Sequence, residues 1–97
     1  MPDTIEEIHL GQNFNLELDN LPSTIKKIKF DIYSGYDKKL NCLPNGLSIL
    51  ELPIYYKQQI CIIPRTLTKL ICSRNYPYLK GFSNIHVETH WKKIIFE

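Results

Sequence analysis

The sequence predicts a mainly β fold: a short solenoid built on a parallel β-sheet, with about five repeats and little or no α-helix. Four prolines recur at spacings of 20, 22 and 20 residues, and an apolar residue precedes each. Apolar residues also follow each proline at fixed distances. The connections are short and interrupted by Pro, Gly, Asn and Asp, which disfavours a helix in them. The four prolines are Pro2, Pro22, Pro44 and Pro64.

Each repeat opens with a segment that predicts one short strand. Apolar residues stand three, six and eight positions after each proline, and the last part alternates with a period of two, as in a strand with one buried face. One unit cannot bury this face alone, whereas stacked units form a continuous core. The expected core residues are Ile5, Ile8, Leu10, Ile25, Ile28, Phe30, Leu47, Leu50, Leu52, Leu67, Leu70 and Cys72.

A fifth repeat, which lacks the proline, is predicted in the segment VETHWKKIIFE. Val87 takes the position before the proline, and Trp91, Ile94 and Phe96 take the three core positions. A chain of 97 residues suits a single domain. The expected repeats of this one domain, 1–97, are 1–20, 21–42, 43–62, 63–86 and 87–97.

The return segments carry a second apolar cluster. In each of four copies an aromatic residue is followed four positions later by an apolar one, which predicts packing beneath the strands. The pairs are Phe14 and Leu18, Tyr36 and Leu40, Tyr56 and Ile60, and Tyr78 and Phe82. Tyrosines near basic residues also suit stacking on single-stranded nucleic acid, but their recurrence in the repeats favours structural packing. These tyrosines are Tyr33, Tyr36, Tyr55, Tyr56, Tyr76 and Tyr78.

The spacing of the core residues resembles the leucine-rich repeat pattern L-x-x-L-x-L-x-x-N. Asn13 and Asn75 occupy the Asn position in the first and fourth repeats, while Tyr33 and Tyr55 occupy it in the second and third. A ladder of asparagines would therefore be incomplete, and we expect other groups to hold the turns in the middle repeats.

The string LGQNFNLELDNLPSTIKKIKF, residues 10–30, more closely resembles an FNIP repeat. Phe14 and Asn15 match the first two residues of the Phe-Asn-Ile-Pro tetrapeptide that names that family, and the LPSTI and LPNGL openings also fit it. The resemblance implies a protein-interaction role and an amoebal or giant-virus origin. The lack of alanine and the abundance of Ile, Lys, Asn and Tyr agree with the AT-rich genome that such an origin implies.

Charge and cysteine content narrow the function classes. Twelve basic and ten acidic residues give a net charge of +2, which is too mild to indicate a nucleic-acid-binding protein. Three cysteines at irregular spacing favour a reducing compartment over a disulfide framework. We expect Cys42 and Cys61 to be semi-buried. No signal peptide or apolar span is recognised, so the expected location is the cytoplasm, that of a host cell or a virion if the protein is viral.

The strand face is the candidate binding site, because residues between core positions project from it. Its second half carries isoleucines among lysines, the composition of a docking surface, although scattered exposed isoleucines also occur on ordinary sheets. Glu7 is expected to face Lys27 across neighbouring strands. The candidate protein-binding residues are His9, Lys27, Lys29, Ile49, Glu51, Lys69, Ile71, Lys93 and Ile95.

The leading expectation is a non-catalytic module that binds a protein partner, with no cofactor, metal, membrane or nucleic acid involved. His86 and His90 lie four apart, but a zinc site would need a helix and further ligands. No phosphate-binding loop or nucleophile motif is found, so an enzyme is not expected. The alternative is a structural protein that self-associates through its terminal strand edges, since arrays without capping repeats expose edges that pair with other chains.

Overall fold

The computed structural model describes residues 5–18, 21–40, 42–60, 62–73, 76–82 and 84–89. In these ranges the chain forms five short strands, one turn of 3-10 helix and no α-helix, which confirms the predicted mainly β class. The elements in chain order are β1 (Glu7–Leu10), β2 (Lys27–Phe30), β3 (Ile49–Glu51), β4 (Lys69–Cys72), the 3-10 helix (Leu79–Phe82) and β5 (His86–Thr89).

The five strands form one parallel sheet in the order β1-β2-β3-β4-β5. The chain therefore winds as a β-solenoid of about four turns, and each coil adds one strand beside the previous one. The register confirms the proline alignment for the first four strands: Ile8, Ile28, Leu50 and Leu70 are successive partners across the sheet. The last three of these are fully buried, because each has a coil on both sides.

A β-turn precedes strands β2, β3 and β4, and the repeated proline begins it. In each coil the N–H of the first core residue donates to the carbonyl of the proline three residues earlier, at 3.1–3.2 Å. The donor residues are Ile25, Leu47 and Leu67, and the acceptors are Pro22, Pro44 and Pro64. The proline carbonyl thus fixes the entrance of each strand, a position where the missing proline N–H costs no ladder bond.

A second β-turn follows each of β1, β2 and β3 and starts the return segment. In the first coil the Phe14 N–H donates to the Gly11 carbonyl at 3.1 Å, and equivalent bonds close the turns of the next two coils at 3.0 and 3.2 Å. After β4 the Tyr76 N–H donates to the Ser73 carbonyl at 3.0 Å. Asn13 is exposed in its turn, so a backbone bond rather than a buried asparagine holds the chain there. In the second coil the buried Ser34 hydroxyl also accepts from the Tyr36 N–H at 3.1 Å.

A ladder of stacked aromatic rings fills the core beneath the return segments. Tyr36, Tyr56 and Tyr76 stack in successive coils with ring centroids 6.1 and 6.2 Å apart, and Phe14 extends the stack at 5.8 Å from Tyr36. The packing prediction is therefore confirmed for these residues. The fourth rung is however Tyr76 and not the predicted Tyr78, which is partly exposed and meets the Tyr76 ring edge-on.

The phenol groups of the ladder bind the preceding coil. The Tyr56 hydroxyl donates to the Lys38 carbonyl at 2.8 Å, and the Tyr76 hydroxyl donates to the Gln58 carbonyl at 2.6 Å. The Tyr36 hydroxyl, in contrast, is buried and has no hydrogen-bond partner among the described residues. Burial raises the pKa of all three phenols.

The fifth strand lies earlier in the sequence than predicted. Val87 pairs with Leu70, so it takes the middle core position of β5 instead of the position before a proline. The step from Leu70 to Val87 is 17 residues, against 20 or 22 in the other coils, because the 3-10 helix closes the fourth coil with fewer residues. Trp91, Ile94 and Phe96, the core residues predicted for this repeat, lie outside the described residues.

Two further features bear on the expected environment of the protein. Cys72 is buried in the core as expected, whereas Cys42 is exposed rather than semi-buried and Cys61 lies outside the described residues. No helix in the described part of the chain has the length and apolar character that a membrane crossing requires.

Candidate protein-interaction surface

The outward side chains of the five strands form two parallel rows on the sheet face. This follows from the strand period of two, since residues between core positions point away from the core. The register aligns equivalent positions of neighbouring coils side by side. The first row contains Glu7, Lys27, Ile49, Lys69 and His86, and the second contains His9, Lys29, Glu51, Ile71 and Glu88.

Ionic contacts occupy the β1 end of the sheet face. The Glu7 carboxylate contacts the His9 imidazole and lies 3.9 Å from the Lys27 ammonium, which confirms the expected cross-strand pair. The hydrogen bond from His9, assisted by the positive charge of Lys27, lowers the pKa of Glu7. The group is exposed, so this pair orients side chains more than it stabilises the fold.

The β5 end of the face repeats this arrangement. Glu88 accepts from Lys69 at 3.3 Å and lies 3.4 Å from the His86 imidazole. The contact with Lys69, and secondarily that with His86, lowers the pKa of Glu88. Both ends of the sheet therefore carry a glutamate held between a lysine of the neighbouring strand and a histidine of its own strand.

The centre of the face is more apolar. Ile49 on β3 and Ile71 on β4 are half-buried. Ile71 lies on the neighbouring strand, two residues beyond the residue that pairs with Ile49. With about 4.8 Å between strands and 3.3 Å per residue, the two Cα atoms are about 8 Å apart. Glu51 lies between Lys29 and Ile71 in the second row. It is only 6% exposed, so its prediction as a projecting contact residue is wrong.

The predicted site residues are therefore brought together in part. His9 is exposed, and Lys27, Lys29 and Lys69 are half-buried beside the two central isoleucines. Lys93 and Ile95 lie outside the described residues. The outward residues of β5 are His86 and Glu88. The alignment of the repeats on their prolines missed both, because it placed the fifth strand seven residues too late.

Two exposed tyrosines extend the surface beyond the carboxyl ends of the strands. Tyr33 is 52% exposed and Tyr55 is 63% exposed, at equivalent positions of the turns after β2 and β3. A hydrogen bond of 2.9 Å from the Ile54 N–H to the Ile32 carbonyl holds the two turns together. The sequence predicted that both tyrosines are packed, and the structure shows that they are exposed, as Asn13 is at the equivalent position of the first coil.

This geometry defines a repeat protein of the parallel β-solenoid class with a mixed charged and apolar strand face. Residues 1–31, about a third of the chain, match the family model of the FNIP Repeat. The match includes β1 and β2 and ends one residue after β2. No curated protein and no solved structure shows significant similarity to the chain.

Proposed function

We propose that this protein is a non-catalytic protein–protein interaction module and that it binds its partner through the strand face. The observation that supports this most is the central pair of half-buried isoleucines, Ile49 and Ile71, between charged groups at both ends of the sheet. Protein interfaces have the same organisation, with an apolar centre and a polar rim that excludes water.

The exposed tyrosines belong to the same proposed surface. Tyr33 and Tyr55 stand in the turns beyond the carboxyl ends of β2 and β3, and tyrosine is enriched among residues that dominate binding energy. The turns that carry them are tied to each other by a backbone hydrogen bond. Little conformational entropy is therefore lost when a partner contacts them.

The described cysteines fit a binding role in a reducing compartment such as the cytoplasm. Burial raises the pKa of the Cys72 thiol to about 11, so it is protonated at neutral pH and is a poor nucleophile. Cys42 is an exposed free thiol, a form that persists where the environment keeps thiols reduced.

The test compares one glutamate substitution on the strand face with another outside the sheet. Ile71→Glu places a charge at the centre of the strand face, and we expect it to reduce partner capture from the source cell at least tenfold. Ile62→Glu is the matched control, because Ile62 is 64% exposed and lies outside the sheet, before the turn that leads to β4. We expect it to bind like the unaltered chain.

A photo-crosslinking residue at each of the same two positions identifies the partner directly. A protein that crosslinks from position 71 and not from position 62 supports the strand face. Equal capture by the Ile71→Glu variant, with its near-ultraviolet circular dichroism unchanged, would exclude this face as the binding site.

A further inference from the structure

The two outer strands of the sheet have backbone groups that face away from it. Among the described residues, β1 and β5 each have one neighbouring strand. In a parallel ladder, alternate residues bond to alternate sides. The N–H and C=O groups of Glu7 and His9 therefore point to the open side of β1, and those of Val87 and Thr89 point to the open side of β5.

Every junction between successive coils uses the same hydrogen bond. In each of β2 to β5 the N–H of the first strand residue donates to a carbonyl of the preceding coil. The acceptor is the residue just before the one that pairs with the donor, and the distance is 3.0–3.1 Å in all four junctions. The donors are Lys27, Ile49, Lys69 and His86, and the acceptors are Glu6, Lys26, Ser48 and Thr68. A further junction of this form needs the Glu7 N–H as donor and the Ile85 carbonyl as acceptor, and both face the open sides.

The outward charges of the two edges are complementary in that register. If β1 of one copy continues the sheet after β5 of another, His86 faces Glu7 in the first row and Glu88 faces His9 in the second. Inside each chain, lysines of the adjacent strands already flank these four residues. Lys69 lies beside His86 and Glu88, Lys27 lies beside Glu7, and Lys29 lies beside His9. Each histidine would then contact two glutamates, one from each copy.

The inward residues of the two outer strands are less buried than those of the inner strands. Ile8 and Val87 are only half-buried, whereas Ile28, Leu50 and Leu70 in the same row are fully buried. Within the described part of the chain the end residues have a coil on one side only. Stacking Val87 against Ile8 of a second copy would remove apolar surface from water at both ends.

We propose that the protein associates head to tail with a second copy of itself, with β5 of one chain pairing in parallel and in register with β1 of the next. The contact uses two different surfaces, so it does not close on itself, and repetition extends the solenoid into a filament. It involves the strand edges and leaves the strand face available, so it goes beyond the partner-binding role.

The decisive experiment blocks one edge at a time in the full chain. Glu7→Pro removes the N–H that β1 would donate, and Thr89→Pro removes one that β5 would donate. Both N–H groups face the open sides, where proline is tolerated on an edge strand. Sedimentation velocity then measures association of each variant alone and of an equimolar mixture, over a range from micromolar to millimolar protein.

Head-to-tail pairing predicts an unusual pattern in these three samples. The unaltered chain forms concentration-dependent oligomers and each variant alone is monomeric. The mixture forms a dimer and nothing larger, because Glu7→Pro retains its β5 edge and Thr89→Pro retains its β1 edge. Pairing of β1 with β1 or of β5 with β5 would leave one variant dimeric by itself, and a strictly monomeric unaltered chain would also overturn the proposal.

Charge variants keep the proposal testable if a proline variant does not fold. Glu88→Lys places a cation opposite His9 of the next copy, and we expect association to weaken about five- to tenfold. Adding His9→Glu to the same chain restores opposite charges across the junction and should recover most of the loss. Lys57→Glu, an exposed reversal on a return segment, is the control that should leave association unchanged. No recovery in the double variant would contradict the proposed register.

Discussion

The aromatic ladder offers a test in which the same substitution has opposite effects in neighbouring coils. Replacing a ladder tyrosine by phenylalanine removes only the hydroxyl and keeps the ring and its stacking. The Tyr56 hydroxyl donates to the Lys38 carbonyl at 2.8 Å and the Tyr76 hydroxyl donates to the Gln58 carbonyl at 2.6 Å. The Tyr36 hydroxyl is buried and has no hydrogen-bond partner among the described residues.

The expected magnitudes follow from these contacts. A hydrogen bond contributes about 0.5–1.5 kcal/mol net, so Tyr56→Phe and Tyr76→Phe should each lower the free energy of unfolding by about 1 kcal/mol. A buried polar group without a partner costs about 1–3 kcal/mol, so Tyr36→Phe should leave the free energy of unfolding unchanged or raise it by about 1 kcal/mol. The difference between the two classes of variant is about 1–2 kcal/mol, roughly a five- to thirtyfold change in the unfolding equilibrium.

Urea denaturation followed by near-ultraviolet circular dichroism measures these differences. Each variant should keep the slope of the transition, because the surface exposed on unfolding hardly changes, and only the midpoint should move. A Tyr36→Phe variant as destabilised as Tyr56→Phe would refute the reasoning, since it would show that the Tyr36 hydroxyl has a stabilising partner after all.

Three other predictions concern the core. Burial raises the pKa of the Tyr56 and Tyr76 phenols, so the folded state favours their protonated forms. This contribution to stability is present below about pH 10, the ordinary tyrosine pKa, and should be lost at higher pH. Urea midpoints measured against pH will show the loss. Iodoacetamide should modify the exposed Cys42 in the native protein and leave the buried Cys72 intact until urea unfolds it, as peptide mass mapping will show. Leu50→Ala should cost about 2–5 kcal/mol in thermal or urea unfolding, since Leu50 is fully buried on the central strand; a loss below about 1 kcal/mol would mean that the site collapses around the smaller side chain.

The strand positions could be predicted because a stacked repeat converts sequence period directly into structure. Each coil buries one apolar face against its neighbours, so the same residue types recur after each proline. The predicted core residues from Ile25 to Cys72 in the second, third and fourth coils are all buried. The alignment of Glu7 with Lys27 followed from the same period and is also observed.

The fifth strand could not be placed in this way because its coil departs from the pattern. It has no proline to mark its entrance, and its inward residues are Val87 and Thr89, which do not repeat the apolar spacing of the earlier strands. The 3-10 helix also shortens the connection to it. Its position depends on where the preceding coil ends in space, which the local sequence does not encode.

The sequence by itself determined the class of the protein: a parallel solenoid with a one-sided core, because the period of apolar residues dictates which side chains must be buried together. Only the tertiary structure decided which of the remaining residues are accessible. Glu51 occupies an outward position of its strand yet is buried, whereas Tyr33 and Tyr55 are aromatic yet exposed at the turns. Exposure depends on neighbours that are about 20 residues away in sequence and adjacent in space, and a solenoid brings those together only when it has folded.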